Sequence, residues 1–460
     1  MKAYLLIDFG STYTKVSLVD IEKEEIVATG KSYTTVESDV TTGYKKAYDQ
    51  LMENVDGEYQ IVKRLACSSA AGGLKIIAIG LVPDLTAEAA KRAALGAGAR
   101  VIKTYSYNLN NDELEVIKNS QADMILLAGG TDGGNNQCVT HNAQMIREHL
   151  LKIPVVIAGN KSCNDEIKKI FGDEIEYYIT ENVMPKLNHI NVEPARETIR
   201  NIFMDNIVKA KGMENVEDKI SGILMPTPAS VLKAASVLSE GTRNEEGIGD
   251  LAVLDIGGAT TDIHSIADGL PTKPSVVFNG LEEPMAKRTV EGDLGMRYSA
   301  LSLFEASGMK YIRKYSNIDK ETAEKEFTKR YEDTKFIARS QEEKDFDEMM
   351  AKICGDISMG RHAGTVESIY SPMGVVYSQK GKDLMEIPYV IGTGGVIVFS
   401  ENPKEILKSL VFTMDDPNSL KPRNPKFLLD KEYILSAMGL LSTIEEDMAV
   451  RMLKKYIINI

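Results

Sequence analysis

Cysteine is scarce in this chain of 460 residues: Cys67, Cys138, Cys163 and Cys354 stand far apart, with no CxxC pair among them. A disulfide framework needs denser, paired cysteines, and a structural zinc site needs close pairs. The four therefore read as reduced thiols of a cytoplasmic protein. The five histidines, His141, His149, His189, His264 and His362, show no metal-ligand spacing and read as solvated or core residues. No apolar stretch approaches ~20 residues, which excludes a membrane-spanning helix. The run through Leu5, Leu6 and Ile7 is too short for the apolar region of a signal peptide. Positive charge is in deficit, 54 Lys+Arg against 67 Asp+Glu, for a net charge of −13. That argues against the phosphate backbone of a nucleic acid as partner, while a local basic site for a nucleotide stays open. Low-complexity linkers are lacking too. What is present is ordinary globular composition, 43% hydrophobic and 26% charged, at a length of roughly three folding units of ~150 residues.

The chain opens as a β-hairpin, with strands at Tyr4–Asp8 and Lys15–Asp20 around Gly10-Ser11-Thr12. Glu25–Ala28 continues the meander. A Rossmann or P-loop site would need a helix after its glycine loop, and here a strand follows. From about Cys67 apolar strands alternate with helices. The strands are Lys75–Val82, Arg100–Tyr105, Asp123–Ala128, Pro154–Ala158 and Glu176–Ile179. The helices are Thr86–Leu95, Asp112–Asn119, Asn135–Leu150 and Cys163–Phe171. This alternation implies βαβ units, hence a doubly wound parallel α/β domain inserted over residues 66–185. A helix follows from Pro194 to Lys211. Thr227 then reads as an N-cap with Pro228 at the first helical position and Gly241 as the stop. A second hairpin starts at Leu251. The charged stretch Asp319–Lys352 reads as helical, with a solvated face or a partner-docking lid as its role. Tyr433–Ile458 reads as one or two helices packing back on the body.

The strongest chemical signal is an internal echo. Leu5-Leu6-Ile7-Asp8-Phe9-Gly10-Ser11-Thr12 is matched by Val253-Leu254-Asp255-Ile256-Gly257-Gly258-Ala259-Thr260. In each copy an apolar strand ends in Asp-x-Gly before a Thr-rich second strand. Glycine lets a hairpin tip approach a polyphosphate, so that backbone N–H groups and hydroxyls bond its oxygens. An Asp at the strand end can hold a hydrated Mg²⁺, which keeps several waters and uses few carboxylates. A third glycine loop, Gly392-Thr393-Gly394-Gly395, leaves the apolar strand Tyr389–Ile391 and offers small residues against which an adenosine can lie.

On these residues the chain resembles the actin, Hsp70 and sugar-kinase ATPase superfamily. The hairpins are similar to its phosphate-1 and phosphate-2 motifs, Gly392–Gly395 to its adenosine motif, and Met225–Ala235 to its connect-1 helix. More closely, the whole chain resembles the glutamate mutase (methylaspartate mutase) accessory protein family, of MutL type. The runs Cys67–Leu74, Leu127–Asn135 and Val290–Gly295 carry that likeness. The resemblance implies an actin-like, ribonuclease H-like α/β fold of two related halves with the inserted domain. The first half takes residues 1–65 and returns over 186–250. The second half spans 251–415, and 416–460 packs on the body. It implies an Mg²⁺-dependent, slowly hydrolysing ATPase that acts as a chaperone-like accessory or reactivating factor for an adenosylcobalamin-dependent mutase. ATP and ADP bias the closure of such domains differently.

By the same resemblance, Asp8 and Asp255 face each other across the phosphates and position Mg²⁺ and water. Gly10, Ser11 and Thr12 cradle one side of the phosphates, and Gly257, Gly258 and Thr260 the other. Lys15 neutralises phosphate charge or lies on a solvated face. Gly292 and Gly295 belong to a further nucleotide-touching loop in which Asp293 stands one step back, and Gly392, Gly394 and Gly395 hold adenosine. One position departs from the pattern: Hsp70-like chains carry a Glu before the Pro-Thr of connect-1, where this chain has Met225. A small-molecule kinase of the same fold, a redox ATPase holding an iron–sulfur cluster, and a non-hydrolysing scaffold are the alternatives. The Gly129–Asn135 loop reads as tight turns or as a surface docking on a mutase subunit. Direct cobalt ligation is not expected, since no Asp-x-His-x-x-Gly occurs in the inserted domain. The expected partners are mutase subunits, with no nucleic acid and no membrane; a homodimer stays open.

Overall fold

Ala3, Leu5, Leu6, Ile7 and Phe9 make a short run that is apolar on both sides, the pattern of a strand buried on both faces. In the computed structural model it is β1 (Lys2–Phe9), every residue after Lys2 being buried. The structure describes residues 1–10, 13–33, 40–69, 74–149, 151–210, 223–371 and 374–460. The expected meander follows as β2 (Tyr13–Asp20) and β3 (Glu25–Tyr33), then α1 (Val40–Glu53) and β4 (Gln60–Ser68). The alternating region holds β5 (Lys75–Gly80), α2 (Glu88–Gly96), β6 (Arg100–Ser106), α3 (Asn111–Lys118), β7 (Met124–Leu127), α4 (Gln137–Glu148), β8 (Val155–Ile157), α5 (Asn164–Phe171) and β9 (Tyr177–Ile179). Next come α6 (Glu193–Ala210), β10 (Ile223–Pro226) and α7 (Thr227–Glu240). The chain divides into two compact units, Met1–Ser230 with Gly280–Glu282, and Val231–Asn279 with Glu283–Ile460.

The first unit contains two sheets. One has the order β10-β4-β1-β2-β3, with β1, β2 and β3 antiparallel and β4 and β10 parallel to β1. It keeps Ala66, Cys67 and Ser68 in β4, so the second sheet begins after them, at Lys75. That second sheet, β6-β5-β7-β8-β9, is wholly parallel. Strand side chains alternate faces. Ile76, Ala78, Leu126 and Val156 therefore join one core with Leu5, Ile7 and Phe9. Ile77, Ile79, Ile125 and Leu127 pack the opposite way, against Leu114, Val139, Ile146 and Ile167 of the helices. Helices on both faces explain why these strands read as uninterrupted apolar runs.

The second unit runs β11 (Leu251–Ile256), β12 (Thr261–Ile266), β13 (Val276–Phe278), β14 (Ala286–Glu291), α8 (Ala300–Tyr315), α9 (Lys320–Glu332), α10 (Gln341–His362), β15 (Thr365–Ser371), β16 (Gly374–Lys380), β17 (Tyr389–Thr393), α11 (Gly395–Val398), α12 (Pro403–Leu407), β18 (Lys426–Asp430), α13 (Leu435–Leu441), α14 (Glu446–Tyr456) and β19 (Ile457–Asn459). Its main sheet has the order β14-β12-β11-β17-β18-β19. Strands β14, β12 and β11 form an antiparallel meander, and β17 and β18 lie parallel to β11. The first sheet shows the same plan, a meander followed by two strands parallel to its first member. This repeated ribonuclease H-like sheet makes the fold an actin-like α/β fold of two related halves. One detail differs from the sequence reading. The C-terminal helical stretch is two helices and stops at Tyr456, because Ile457–Asn459 pairs antiparallel with β18.

Candidate functional site

Asp8 sits one residue before the end of β1, buried to 5% exposure. Its Oδ1 accepts the Thr227 hydroxyl at 2.7 Å and the Cys67 thiol at 3.5 Å, and the Lys15 ammonium lies 3.9 Å from Oδ2. Register explains the group: Asp8 pairs with Lys15 on β2 and with Cys67 on β4, and Met225 of β10 pairs with Cys67 in turn. Burial, with the Asp8 charge beside it, pushes the Cys67 thiol well up, so it remains an S–H donor. Thr227, expected to cap α7, is that helix's first residue and turns its hydroxyl to Asp8. Lys15, expected at phosphate, stands beside Asp8 in this structure. The Gly10 N–H donates to the Tyr13 carbonyl at 3.1 Å, and a Cβ on Gly10 would lie 2.5 Å from that oxygen. Ser11 and Thr12 lie outside the described residues, as do Ala70, Ala71, Gly72 and Gly73 of the small-residue run after Cys67.

The second hairpin repeats this turn. The Gly257 N–H donates to the Thr260 carbonyl at 2.9 Å, as Gly10 does to Tyr13. Asp255 takes the place of Asp8, and its partner across the hairpin is Asp262. Asp262 is held by Arg288, whose Nε donates to Oδ1 at 2.7 Å, while the Thr260 hydroxyl donates to Oδ2 at 3.2 Å. Asp262 ends the second hairpin motif in the sequence, but its pairing with Arg288 is not legible there, since strand register brings the two together.

The loop of residues 291–299 wraps this hairpin. Met296 and Arg297 N–H groups donate to the Gly257 and Gly258 carbonyls at 3.1 and 2.8 Å. The Ser299 hydroxyl donates to the Ala259 carbonyl at 2.7 Å and to that of Gly292 at 2.9 Å. A Cβ on Gly295 would lie 2.5 Å from the Ala259 backbone, so glycine permits this close approach. Three successive carbonyls thus face the loop. In trans peptides the N–H opposes the C=O, which turns the N–H groups of Gly258, Ala259 and Thr260 away from the loop. Successive backbone N–H groups turned to one side are the elements from which an anion-binding concavity can be built.

The third glycine loop reaches the same place. Thr393 pairs with Asp255 in parallel register. Gly394, at φ +92°, leaves room for nothing larger: a Cβ there would lie 2.4 Å from the Ile256 carbonyl and 3.0 Å from Asp255 Oδ1. Gly395 opens α11 with free space around its Cα, whereas the space beside Gly392 is filled by Ile397 and Leu407 side chains. The second unit therefore gathers Asp255, Gly257, Gly258, Thr260, Gly292, Gly295, Gly394 and Gly395 around one strand end.

Other candidates fall elsewhere. Asp132 of the Gly129–Asn135 loop accepts from the Lys161 N–H at 3.1 Å and the Asn182 amide at 3.0 Å. The buried Asn160 braces the same loop through Gly133, Gly134 and Asn135. Burial raises the Cys138 thiol, and His141 Nε2 lies 3.2 Å from the Leu109 carbonyl. The charged stretch is two helices, and its solvated face hides the fully buried Arg330. Among the described residues no group of three or more His, Cys, Asp or Glu side chains could hold a metal. No helix among them is long and apolar enough to cross a membrane. A hydrated Mg²⁺ asks only for one or two hard carboxylates besides phosphate oxygens, and each hairpin carries one at its strand end, Asp8 in the first unit and Asp255 in the second.

Residues 4–457 match the family described as MutL protein. A curated relative, "Protein MutL" from Clostridium tetanomorphum, is 62% identical over 465 residues, covering 100% of both chains. Among solved structures, xylulose kinase from Lactobacillus acidophilus aligns with 100% of this chain and 93% of its own, at 11% identity and a TM-score of 0.36. A glycerol dehydratase reactivase aligns over 95% and 99%, at 9% identity and a TM-score of 0.35. Likeness at that level supports no conclusion about activity.

Proposed function

The chain belongs to the MutL protein family, and from that premise we propose that it is an ATP-binding, slowly hydrolysing accessory factor that reactivates an adenosylcobalamin-dependent mutase, glutamate mutase or a related aminomutase. One observation supports nucleotide binding above all others. The Asp-x-Gly hairpin occurs twice, with the same i to i+3 bond at Gly10 and at Gly257, in two sheets of the same strand order. The mutase partner follows from the resemblance of the chain to the glutamate mutase accessory proteins.

In this reading the N–H groups of Gly258, Ala259 and Thr260 bind phosphate oxygens and meet the charge that develops on them, the usual task of preorganised donors. Asp8 and Asp255 orient water. The Thr227 hydroxyl and the Cys67 thiol fix the Asp8 carboxylate, and the Lys15 ammonium stands beside it. Gly394 and Gly395 leave a flat surface for adenosine. Asp8 and Asp255 would hold Mg²⁺, which would supply charge neutralisation at the phosphates.

The test is ATP hydrolysis by the whole protein, alone and with purified mutase subunits. Asp8→Ala and Asp255→Ala should each abolish turnover; full hydrolysis in either variant rejects the site. Stimulation by mutase subunits is expected, whereas a phosphorylated small product would identify a kinase instead. A second reading rests on Met225, which is apolar and buried where Hsp70-like chains have a carboxylate. Tight ATP binding without turnover, even with mutase present, would establish a scaffold that holds nucleotide.

A further inference from the structure

The loop of residues 291–299 is fastened at both ends to a single helix. At one end Arg361, near the C-terminus of α10, donates from both guanidinium NH₂ groups to the two oxygens of Asp293, each at 2.9 Å, and to Glu291 at 2.6 Å. At the other end Arg297 donates to Asp347 of α10 at 2.8 Å, while its remaining N–H groups bond the Phe336 and Met296 carbonyls. The second oxygen of Asp347 takes the Nε of the buried Arg330 at 2.5 Å, and Arg330 stacks against Phe336 and Phe346. Asp347 and Arg361 are fourteen residues apart on one unbroken helix of 22 residues. At ~1.5 Å per residue that is about 21 Å, close to four whole turns, so both lie on one face. Bidentate and charge-assisted pairs fix orientation as well as distance.

We propose that Asp347 and Arg361 are positioning residues: through a two-point brace from α10 to the 291–299 loop they hold the Gly257–Thr260 turn, and with it the N–H groups that receive phosphate. The proposal deepens the nucleotide-binding reading and rests on it for its ligand. The loop touches the turn directly, through the Met296, Arg297 and Ser299 bonds described above, and α10 also packs on the flanking strand at Leu254. Freeing one end lets the loop pivot about the other, so each anchor is needed and the second release adds little.

Two readouts test the brace in the full-length protein. The first is amide hydrogen exchange over residues 257–262 without nucleotide. The second is affinity for a fluorescent ADP. Arg361→Met removes a partly exposed side chain and Asp347→Asn a buried charge. Each should speed exchange over 257–262 and weaken ADP binding by about tenfold, the scale of one charge-assisted hydrogen bond. Arg361→Lys, which keeps charge but loses the fork, should recover part of both. The double variant should lose scarcely more than either single one. A merely structural role would lower Tm and speed exchange within α10 alone, leaving residues 257–262 and ADP affinity unchanged; that result overturns the proposal. If the wild-type protein binds no ADP, the nucleotide reading fails, and the exchange measurement still decides whether the brace exists.

Discussion

Buried ionisable side chains set much of the chemistry of this molecule. Around Asp8 a hydroxyl, a thiol and an ammonium share one carboxylate, so its charge is compensated. His264 is the opposite case. It lies on β12, fully buried, and among the described residues neither ring nitrogen has a hydrogen-bond partner. Burial pushes it from 6.5 down to about 3, with Asp262 raising it and Arg288 lowering it. The native protein therefore keeps His264 neutral, while the unfolded chain takes up a proton below 6.5. Stability is complete above about pH 6.5 and falls as the pH drops from there toward 3, by up to ~1.4 kcal/mol per pH unit for one proton. Between pH 6.5 and 5 the loss is about 2 kcal/mol. His264→Leu should lessen that loss, leaving the share of the buried His362, which burial likewise holds well below its ordinary value. Urea unfolding of both proteins at pH 7 and pH 5 checks it; an equal loss in both would mean that the native state accepts the proton.

Among elements, α10 carries the heaviest duty, and its N-terminus is built accordingly. The Ser340 hydroxyl accepts the Glu343 N–H at 3.2 Å, and Glu343 accepts the N–H groups of Ser340 and Arg339. This capping box satisfies donors that a helix start otherwise leaves unpaired. Ser340→Ala should cost about 1 kcal/mol, read as a lower urea midpoint at unchanged slope; no change would show the cap is redundant beside Asp347. The element scale is also where sequence is most and least readable. Strands β5, β7 and β8 announce themselves because both faces are covered and every residue must be apolar. The hairpin at Asp8 announces itself through Gly10, which the turn at Tyr13 requires, and the third glycine loop through Gly394, which the approach to Ile256 requires. Strands β13, β15 and β16 form a small sheet with Tyr370 at 83% exposure, and so give no core-facing pattern. Thr227 reads locally as a cap, since nothing near it in sequence reveals Asp8, 219 residues away. Arg288, Arg297 and Arg361 look like ordinary charged surface until register and helix geometry bring their partners to them.

For the molecule as a whole, a ligand that binds only the folded state raises its stability by mass action. With ATP at a hundredfold excess over its Kd the gain is about 2.7 kcal/mol. Mg²⁺ with ATP should therefore raise Tm clearly, and ATP with EDTA should raise it less, because the phosphates then lose the cation that Asp8 and Asp255 are proposed to position. Equal shifts with and without Mg²⁺ would remove that role from both carboxylates. The net charge of −13 makes this test demanding: the general field of the protein repels a nucleotide, so binding must come from local donors.

Cys67 gives this chain a built-in clock. All four cysteines are buried, and the Cys67 thiol combines complete burial with a strongly raised proton affinity and contact with Asp8. An alkylating reagent needs an exposed thiolate, so labelling of Cys67 must wait until the β1–β4 pairing at Asp8 comes apart. Where alkylation outpaces reclosing, the labelling rate at that one sulfur is the opening frequency of the β1–β4 pairing at Asp8, readable by mass spectrometry in the unmodified protein.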